Sequence, residues 1–271
     1  PPVFAAAANI VEKTARVDAI DLNLGCPQGI AKRGNYGSFL MDDIPLVFKL
    51  VNAVHTTCSV PITVKIRVFP GDEERTLAYA KAIQDAGAQV LTVHGRGRDN
   101  KGPGAELADW DMIKKVREHL SIPVISNGNI VTFGDVEACL EATGAAAVMS
   151  AEWLRRNPAL FWGGKKVCAF QMAQEYLELL SQYPCPLSFV KSHLFKLLAT
   201  VDGGFNDHGE LRERMGKTQS LPEVVEIVEE LQRKRNGQPS YPTGTREDLL
   251  PQKPPPAPPR ERKKEEEEGE E

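Results

Sequence analysis

The stretch IDLNLGCPQGIAKRGNYG, residues 20–37, decides how the rest of the chain is interpreted. It begins as an apolar strand and breaks at Gly25, Cys26 and Pro27, because glycine permits a tight turn and proline cannot continue a ladder. Basic residues and a helix start follow, and both features lower the pKa of a thiol or attract an anion. The stretch therefore suggests a reactive cysteine at the end of a strand, with a buried structural cysteine as the alternative.

The composition excludes several classes of protein. The 271 residues include 41% hydrophobic side chains, which is enough for a sizeable core. The sequence contains no run of about 18 apolar residues, so no membrane span is predicted. The five scattered cysteines form no CxxC pair, which argues against a zinc site and against a disulfide framework. A net charge of −4 does not by itself indicate a nucleic-acid binder, although it does not exclude a basic patch on one face of the protein.

Strand and helix patterns alternate along the first part of the chain. Apolar strands are predicted at 19–24, 62–67, 90–94, 124–127 and 145–150, and helices lie between them. Both an open doubly wound sheet and a TIM barrel fit this alternation. Polar residues at the strand ends favour the barrel, since side chains from several strands meet at its carboxyl-terminal mouth. A barrel needs eight strands, so this α/β chain, which starts on a helix, is predicted to hold only the last five βα units.

The strand patterns stop near residue 165. Four helices are predicted after it, at 170–182, 188–201, 210–216 and 221–234, and the last begins with a capping box formed by Ser220 and Glu223. Runs of proline and charge at the end of the chain cannot build a core. We therefore predict three regions: a partial TIM barrel at 1–164, a small all-α domain at 165–235 and a disordered tail at 236–271.

Two residues near the strand ends are candidates for chemistry. Lys65 lies near the end of a strand rich in Ile, Thr and Val, and a lysine that points into a barrel mouth needs an anionic partner. A surface lysine at a strand terminus is the alternative. His94 ends the next strand, where a core histidine is the alternative.

The loops after the last two strands are candidates for binding phosphate. Asn127, Gly128 and Asn129 follow one strand, and a glycine there lets backbone N–H groups approach a ligand. Asn-Gly is also an ordinary turn pair. Ala151 and Glu152 follow the next strand. In barrels, the loops after the seventh and eighth strands commonly bind phosphate.

Four motifs, NLGCP, KIR, VHGR and SNGNI, lie in this order on four consecutive strands. Together they resemble the dihydrouridine synthase family, flavoenzymes that reduce uridine in tRNA, and the resemblance covers residues 18–235. The segments AEWLRRNPALF at 151–161 and VKSHLFKLL at 190–198 look like the eukaryotic class that acts at D-loop positions 16 and 17. The resemblance implies an FMN-binding TIM barrel, a helical domain that helps to hold tRNA, and NAD(P)H as reductant. It also implies a monomer in the cytoplasm or nucleus.

The resemblance assigns roles to individual residues. Cys26 matches the catalytic cysteine, which would protonate C5 of uracil while reduced FMN delivers hydride to C6. Lys65 and His94 match residues beside the flavin ring, where a positive charge stabilises the reduced, anionic form. The remaining assignments are Asn127, Gly128, Asn129, Ala151 and Glu152 for the cofactor, and Asn23, Arg67 and Arg96 for the substrate. Lys32, Arg33, Arg96, Arg98 and Lys101 are candidate phosphate contacts along the mouth, with solvated surface charges as the alternative.

Some features depart from the family pattern. Many members have Gly-Arg where this chain has Ala151-Glu152, so the phosphate contact there must use backbone N–H groups. Trp153 stands where the eukaryotic class usually has glycine. The first three barrel strands have no counterpart, so an inactive truncated form that keeps at most tRNA binding is the alternative function. An FMN barrel of the dihydroorotate dehydrogenase type is disfavoured by the helical domain and the NLGCP cysteine.

Overall fold

A computed structural model describes residues 1–102 and 105–242 of the chain. Its first part alternates helices and strands in the order α1 (Pro2–Thr14), β1 (Ile20–Leu24), α2 (Gly29–Gly34), α3 (Ile44–Thr57), β2 (Ile62–Arg67), α4 (Glu73–Asp85), β3 (Val90–His94), α5 (Trp110–His119), β4 (Val124–Asn127), α6 (Phe133–Thr143) and β5 (Ala147–Met149). Its second part is helical, with α7 (Ala169–Leu179), α8 (Leu187–Leu198), α9 (Gly209–Lys217) and α10 (Leu221–Lys234). Short 3₁₀ helices cover Gly37–Leu40 and Trp153–Arg155.

The five strands form one parallel sheet in the sequential order β1-β2-β3-β4-β5. A doubly wound sheet reverses its strand order at a switch point, and no such reversal occurs among the described strands. Helix α3 contacts α4, α4 contacts α5 and α5 contacts α6. The result is an α/β fold compatible with a TIM-barrel-like domain, as the strand alternation predicts.

The two faces of the sheet differ in chemistry because side chains alternate along each strand. Ile62, Val64 and Ile66 of β2 are fully buried in the core beneath the helices. Lys65 and Arg67 therefore point to the opposite side. We call this opposite side the polar face; it carries Lys65, Arg67 and their register partners on the neighbouring strands.

Local contacts fix where the helices begin and how α1 is held. Side chains of Asp43, Asp72 and Asp109 accept hydrogen bonds from the first turns of α3, α4 and α5, which satisfies backbone donors that a helix leaves unpaired. Glu12 of α1 accepts hydrogen bonds from Ser59 N–H at 2.8 Å and from Ser59 Oγ at 2.6 Å. This carboxylate ties α1 to the turn between α3 and β2.

A second hydrophobic core lies in the helical part of the chain. Phe170, Leu194, Phe205 and Ile227 are buried together in it. Leu160 belongs to the first core and Ala169, in α7, to the second, so the predicted boundary near residue 165 falls between the two. None of the helices within the described residues is both long and apolar enough to cross a bilayer.

The predicted tail begins too early at residue 236. Ser240 is buried, and its carbonyl accepts a hydrogen bond from Ala169 N–H at 2.7 Å. Its hydroxyl donates to the carbonyl of Asp202 at 2.7 Å, and its N–H contacts Cys168 Sγ at 3.4 Å. The composition missed this because a polar segment can still satisfy its backbone hydrogen bonds against the start of α7. The rest of the predicted tail, residues 243–271, lies outside the described residues.

Candidate functional site

The sheet register places the predicted strand-end residues in two adjacent rows on the polar face. Parallel strands end at the same edge of a sheet, so equivalent positions on neighbouring strands lie side by side. The first row holds Asn23, Lys65 and Thr92, and the second holds Arg67, His94 and Asn127.

Cys26 lies just beyond the carboxyl end of β1 and is half-buried. Arg67, at the end of the neighbouring strand, donates from Nε to the carbonyl of Gly25 at 2.8 Å. Arg67 is also close enough to Cys26 for the two side chains to interact electrostatically. The thiol-bearing turn therefore adjoins the second row of the polar face.

Lys65 stands out because its ammonium has neither a hydrogen bond nor an ion pair within the described part of the chain. Burial, followed by the positive charge of Arg67, lowers the pKa of Lys65 to about 8, and Asp21 opposes the shift. A partly buried ammonium without a partner is costly, so a lysine kept in this state indicates a site for an anionic or electron-rich ligand.

His94 is neutral in this site. Burial, followed by the charges of Arg67, Lys65 and Arg96, lowers the pKa of His94 to about 2. Arg96 Nη1 lies 3.3 Å from His94 Nε2, and because a guanidinium can only donate, Nε2 must accept and Nδ1 carries the proton. The imidazole can therefore offer its Nδ1–H as a donor, and Lys65 and the arginines carry the positive charge at this edge of the sheet.

Arg67 and Arg96 support the loops at this edge. Besides Gly25, Arg67 donates to the carbonyls of Gly97 at 2.8 Å and Asn100 at 3.1 Å, so the buried guanidinium joins the loops after β1 and β3. Arg96 donates to Asn129 Oδ1 at 2.7 Å. Neither arginine forms an ion pair with a described carboxylate, so the edge of the sheet is electropositive. Arg67 was predicted to line a substrate pocket. In the structure its guanidinium also holds two loops together.

The loop after β4 offers backbone donors rather than side chains. Asn127 Nδ2 donates to the carbonyl of Met149 at 2.8 Å, and Asn129 Nδ2 donates to that of Ala108 at 3.3 Å. Gly128 and Asn129 both have positive φ angles, of 114° and 64°. Within the described residues, the N–H groups of Gly128 and Asn129 have no hydrogen-bond partner. Successive free N–H groups in such a turn form a concavity that suits an anion.

The loop after β5 adjoins that turn and also reaches the helical part. Ser150 Oγ donates to the carbonyl of Ile130 at 2.8 Å, which ties the two loops together. The carboxylate of Glu152 accepts from Lys196 of α8 at 2.7 Å and also pairs with Arg155. Burial raises the pKa of Glu152, but the hydrogen bonds from Lys196 and Arg155 outweigh it, so the net shift is downward. The side chain of Glu152 therefore faces the second core.

The other predicted contacts divide into engaged and exposed groups. Asn23 is exposed on the polar face, and its Oδ1 accepts from Gly25 N–H at 2.9 Å. Arg98 pairs at 2.7 Å with Asp42, a carboxylate that also pairs with Arg75. Lys101 Nζ donates to the carbonyl of Pro27 at 2.6 Å. Lys32 and Arg33 remain exposed on α2 and available to a polyanion.

Sequence reasoning missed Ser38, which lies in the 3₁₀ helix after α2. Its N–H and Oγ both donate to the carbonyl of Cys26, at 3.0 Å and 2.9 Å. The available signal was Gly37 directly before it, a glycine with a positive φ of 63° that sits against Cys26.

Comparison with known proteins agrees with these motifs. A family model described as dihydrouridine synthase (Dus) matches residues 1–232. The chain is 46% identical over 231 residues to a Mus musculus protein named tRNA-dihydrouridine(16/17) synthase [NAD(P)(+)]-like, covering 85% of this chain and 47% of that protein. It is 45% identical over 210 residues to the Saccharomyces cerevisiae tRNA-dihydrouridine(16/17) synthase [NAD(P)(+)], covering 73% of this chain and 49% of that protein. The chain thus spans about half the length of the curated relatives it matches.

Similarity to solved structures is low. A phosphonopyruvate hydrolase in complex with oxalate and Mg²⁺ matches at 14% identity with a TM-score of 0.45, over 85% of this chain and 88% of that chain. A likeness at this level carries no argument about function.

Proposed function

This chain belongs to the dihydrouridine synthase family, and from that premise we propose that it acts as a tRNA-dihydrouridine synthase. The reaction is reduction of the C5–C6 double bond of uridine in the tRNA D-loop at the expense of NAD(P)H, with positions 16 and 17 as the targets. The observation that carries the proposal is the meeting of Cys26, Lys65 and His94 at one edge of the sheet.

The donors present at this edge fit FMN. The free N–H groups of Gly128 and Asn129 suit its phosphate, with the backbone of Ala151 and Glu152 beside them. The ammonium of Lys65 and the neutral imidazole of His94 suit the polar edge of its ring system, because both can donate. When bound, FMN would supply the hydride that reduces uracil.

Cys26 would provide the proton that the reduction requires. Saturating the C5–C6 bond takes one hydride and one proton, so an acid must lie within proton-transfer reach of C5. Cys26 is half-buried beside the second row of the polar face, and no other described cysteine lies on this edge of the sheet. Asn23 is exposed near it and suits a contact with the flipped-out base.

The partner is tRNA, and the chain is proposed to act on it as a monomer. The exposed Lys32 and Arg33 on α2 and the electropositive edge suit contacts to phosphate groups. The tRNA would lie between the sheet edge and the helical part, which Glu152 and Lys196 connect.

The experiment combines a flavin readout with an activity readout. The purified chain should take up FMN, seen as visible absorbance that remains after gel filtration, and should form dihydrouridine in unmodified tRNA when NADPH is supplied. Cys26→Ala should keep the flavin and lose at least about a hundredfold in activity, the usual contribution of a positioned acid. A colourless wild-type chain that still binds tRNA would favour the inactive truncated form instead.

A further inference from the structure

We propose that Gly37 and Ser38 are positioning residues for Cys26, and that they belong to a backbone clamp which fixes where the thiol points. The clamp is the set of hydrogen bonds to the consecutive residues Gly25, Cys26 and Pro27. The role of the thiol as a proton donor rests on the proposed function, whereas the clamp itself rests on geometry alone.

Every carbonyl of the cysteine turn accepts a hydrogen bond. The carbonyl of Gly25 accepts from Arg67 Nε at 2.8 Å. The carbonyl of Cys26 accepts twice from Ser38, from N–H at 3.0 Å and from Oγ at 2.9 Å. The carbonyl of Pro27 accepts from Lys101 Nζ at 2.6 Å. Three neighbouring peptide groups are thus held in one orientation.

Gly37 adds a steric constraint on the cysteine. Its φ of 63° lies in the left-handed region, and a Cβ at this position would lie 2.7 Å from the carbonyl oxygen of Cys26 and 2.9 Å from its Cβ. Contacts below 3.0 Å are not tolerated, so any larger residue must displace the cysteine backbone or its own. The absence of a side chain at Gly37 therefore lets the two backbones pack directly.

The clamp is built from three different parts of the chain. Ser38 lies after α2 and is fully buried, so water does not compete for its hydrogen bonds. Arg67 ends β2 and Lys101 lies in the loop after β3, and these strands also carry Lys65 and His94. The thiol is therefore held relative to the two residues proposed to contact the flavin. Such placement matters because a displacement of about 1 Å can cost about a hundredfold in rate.

The first test compares two glycines with the same backbone strain. In Gly37→Ala the new methyl group meets Cys26, whereas in Gly71→Ala, where φ is 74°, nothing lies within 4 Å. Alkylation of Cys26 by iodoacetamide is followed by peptide mass spectrometry across a pH series, with the exposed Cys185 as an internal reference. We expect the rate at Cys26 to rise about fivefold in Gly37→Ala, the population change that corresponds to one hydrogen bond. The rate in Gly71→Ala should match the wild type.

A second pair of variants decides the question even if Gly37→Ala does not fold. Ser38→Ala removes the hydroxyl bond to Cys26, and Ser181→Ala removes a comparable hydroxyl bond of 2.7 Å to the carbonyl of Glu178, in the helical part. Faster alkylation of Cys26 in Ser38→Ala alone supports the clamp. An unchanged rate in folded Ser38→Ala overturns it.

The alkylation assay needs neither flavin nor tRNA, so its outcome is separate from that of the proposed function. If the chain also makes dihydrouridine, Ser38→Ala should lower kcat while leaving the KM for tRNA within about twofold, because Ser38 is fully buried and orients the acid without contacting tRNA. A raised KM with unchanged kcat would contradict a positioning role.

Discussion

Lys65 shows how a single residue can be kept at a cost to stability. Its ammonium is half-buried on the polar face, and its pKa of about 8 lies well below the ordinary value of 10.5. The folded protein therefore binds fewer protons than the unfolded chain between pH 8 and pH 10.5. Below pH 8 the charged form destabilises the fold in full, and this penalty disappears as the pH rises toward 10.5.

Replacing Lys65 by Met should raise stability and lower flavin binding at the same time. At neutral pH we expect a gain of about 1–2 kcal/mol in the free energy of unfolding, because a partly buried charge is removed. The gain should shrink from pH 8 to pH 10.5, and FMN affinity should fall. Urea denaturation across this range and flavin titration measure both effects. Lys49→Met, at an exposed position on α3, is the control and should change neither. A gain that persists at high pH would contradict the assignment.

Gly128 is a second residue whose replacement should affect the site. Its φ is 114°, and a Cβ there would lie 2.6 Å from Ala108 Cβ and 3.1 Å from His94 Cδ2. Gly128→Ala should therefore cost about 2–4 kcal/mol through backbone strain and overpacking, and it should weaken FMN binding. Thermal unfolding and flavin titration are the measurements. Gly163→Ala is the control, because Gly163 has a φ of 60° and nothing lies within 4 Å of the new Cβ. It should lose only the stability that backbone strain costs, without overpacking, and should leave flavin binding unchanged.

Residue types and strand ends were predictable from the sequence, but protonation states and support roles were not. The motifs were sufficient to place Lys65, His94 and Asn127 on neighbouring strands, since each follows a recognisable apolar run. The lowered pKa of His94 comes first from burial and then from the charges of Arg67, Lys65 and Arg96, and all of these depend on register and loop shape. The bond from Ser38 to Cys26 crosses 12 residues and a helix, which no local pattern reports.

At the scale of elements, the alternation of strands and helices was predictable because hydrophobic periodicity decides it. The strand predicted at 145–150 is shorter in the structure, where β5 covers only Ala147–Met149. The predicted capping box of α10 is only half formed. Ser220 Oγ accepts from Glu223 N–H at 3.4 Å, but the carboxylate of Glu223 bonds to Thr218 Oγ1 instead of returning to Ser220 N–H.

Two helix caps allow the two cores to be tested separately. Thr132 caps α6 beside the first core through a complete capping box with Asp135, and Ser220 caps α10 in the second. Thr132→Ala and Ser220→Ala should each cost about 1 kcal/mol. If the cores unfold separately, calorimetry should show two transitions, and each substitution should lower the midpoint temperature of only one of them. A single transition that shifts equally in both variants would contradict the predicted division into domains.

At the scale of the whole molecule, one carboxylate connects the sheet to the helical part. Glu152 follows β5 and bonds to Lys196 of α8, whereas the chain between the two parts runs through Gly163 and Gly164, both with positive φ. The presence of a second core was predictable from the change in periodicity near residue 165. The contact that attaches this second core to the sheet was not predictable, because an ion pair between residues 44 apart cannot be inferred from the local sequence around either one.

Weakening that connection should expose the chain between the two parts. Glu152→Gln keeps the backbone that is proposed to face FMN, so flavin binding should persist, and stability should fall by less than about 1 kcal/mol. Trypsin cleavage after Lys165 or Lys166 should become up to about fivefold faster, because the helical part is less firmly held. Glu178→Gln, on the exposed side of α7, should leave cleavage unchanged. Equal cleavage rates in both variants would contradict a connecting role for Glu152.

The opposite chemistry of the two sheet faces has a consequence for how this gene can change. A one-residue deletion inside β2 would invert the strand, turning Ile62 and its apolar companions toward the polar face and placing Lys65 and Arg67 in the apolar core under the helices. Single substitutions can change the polar face one position at a time. Insertions and deletions are tolerable only in the loops, since inside a strand they would destroy the scaffold and the chemistry together.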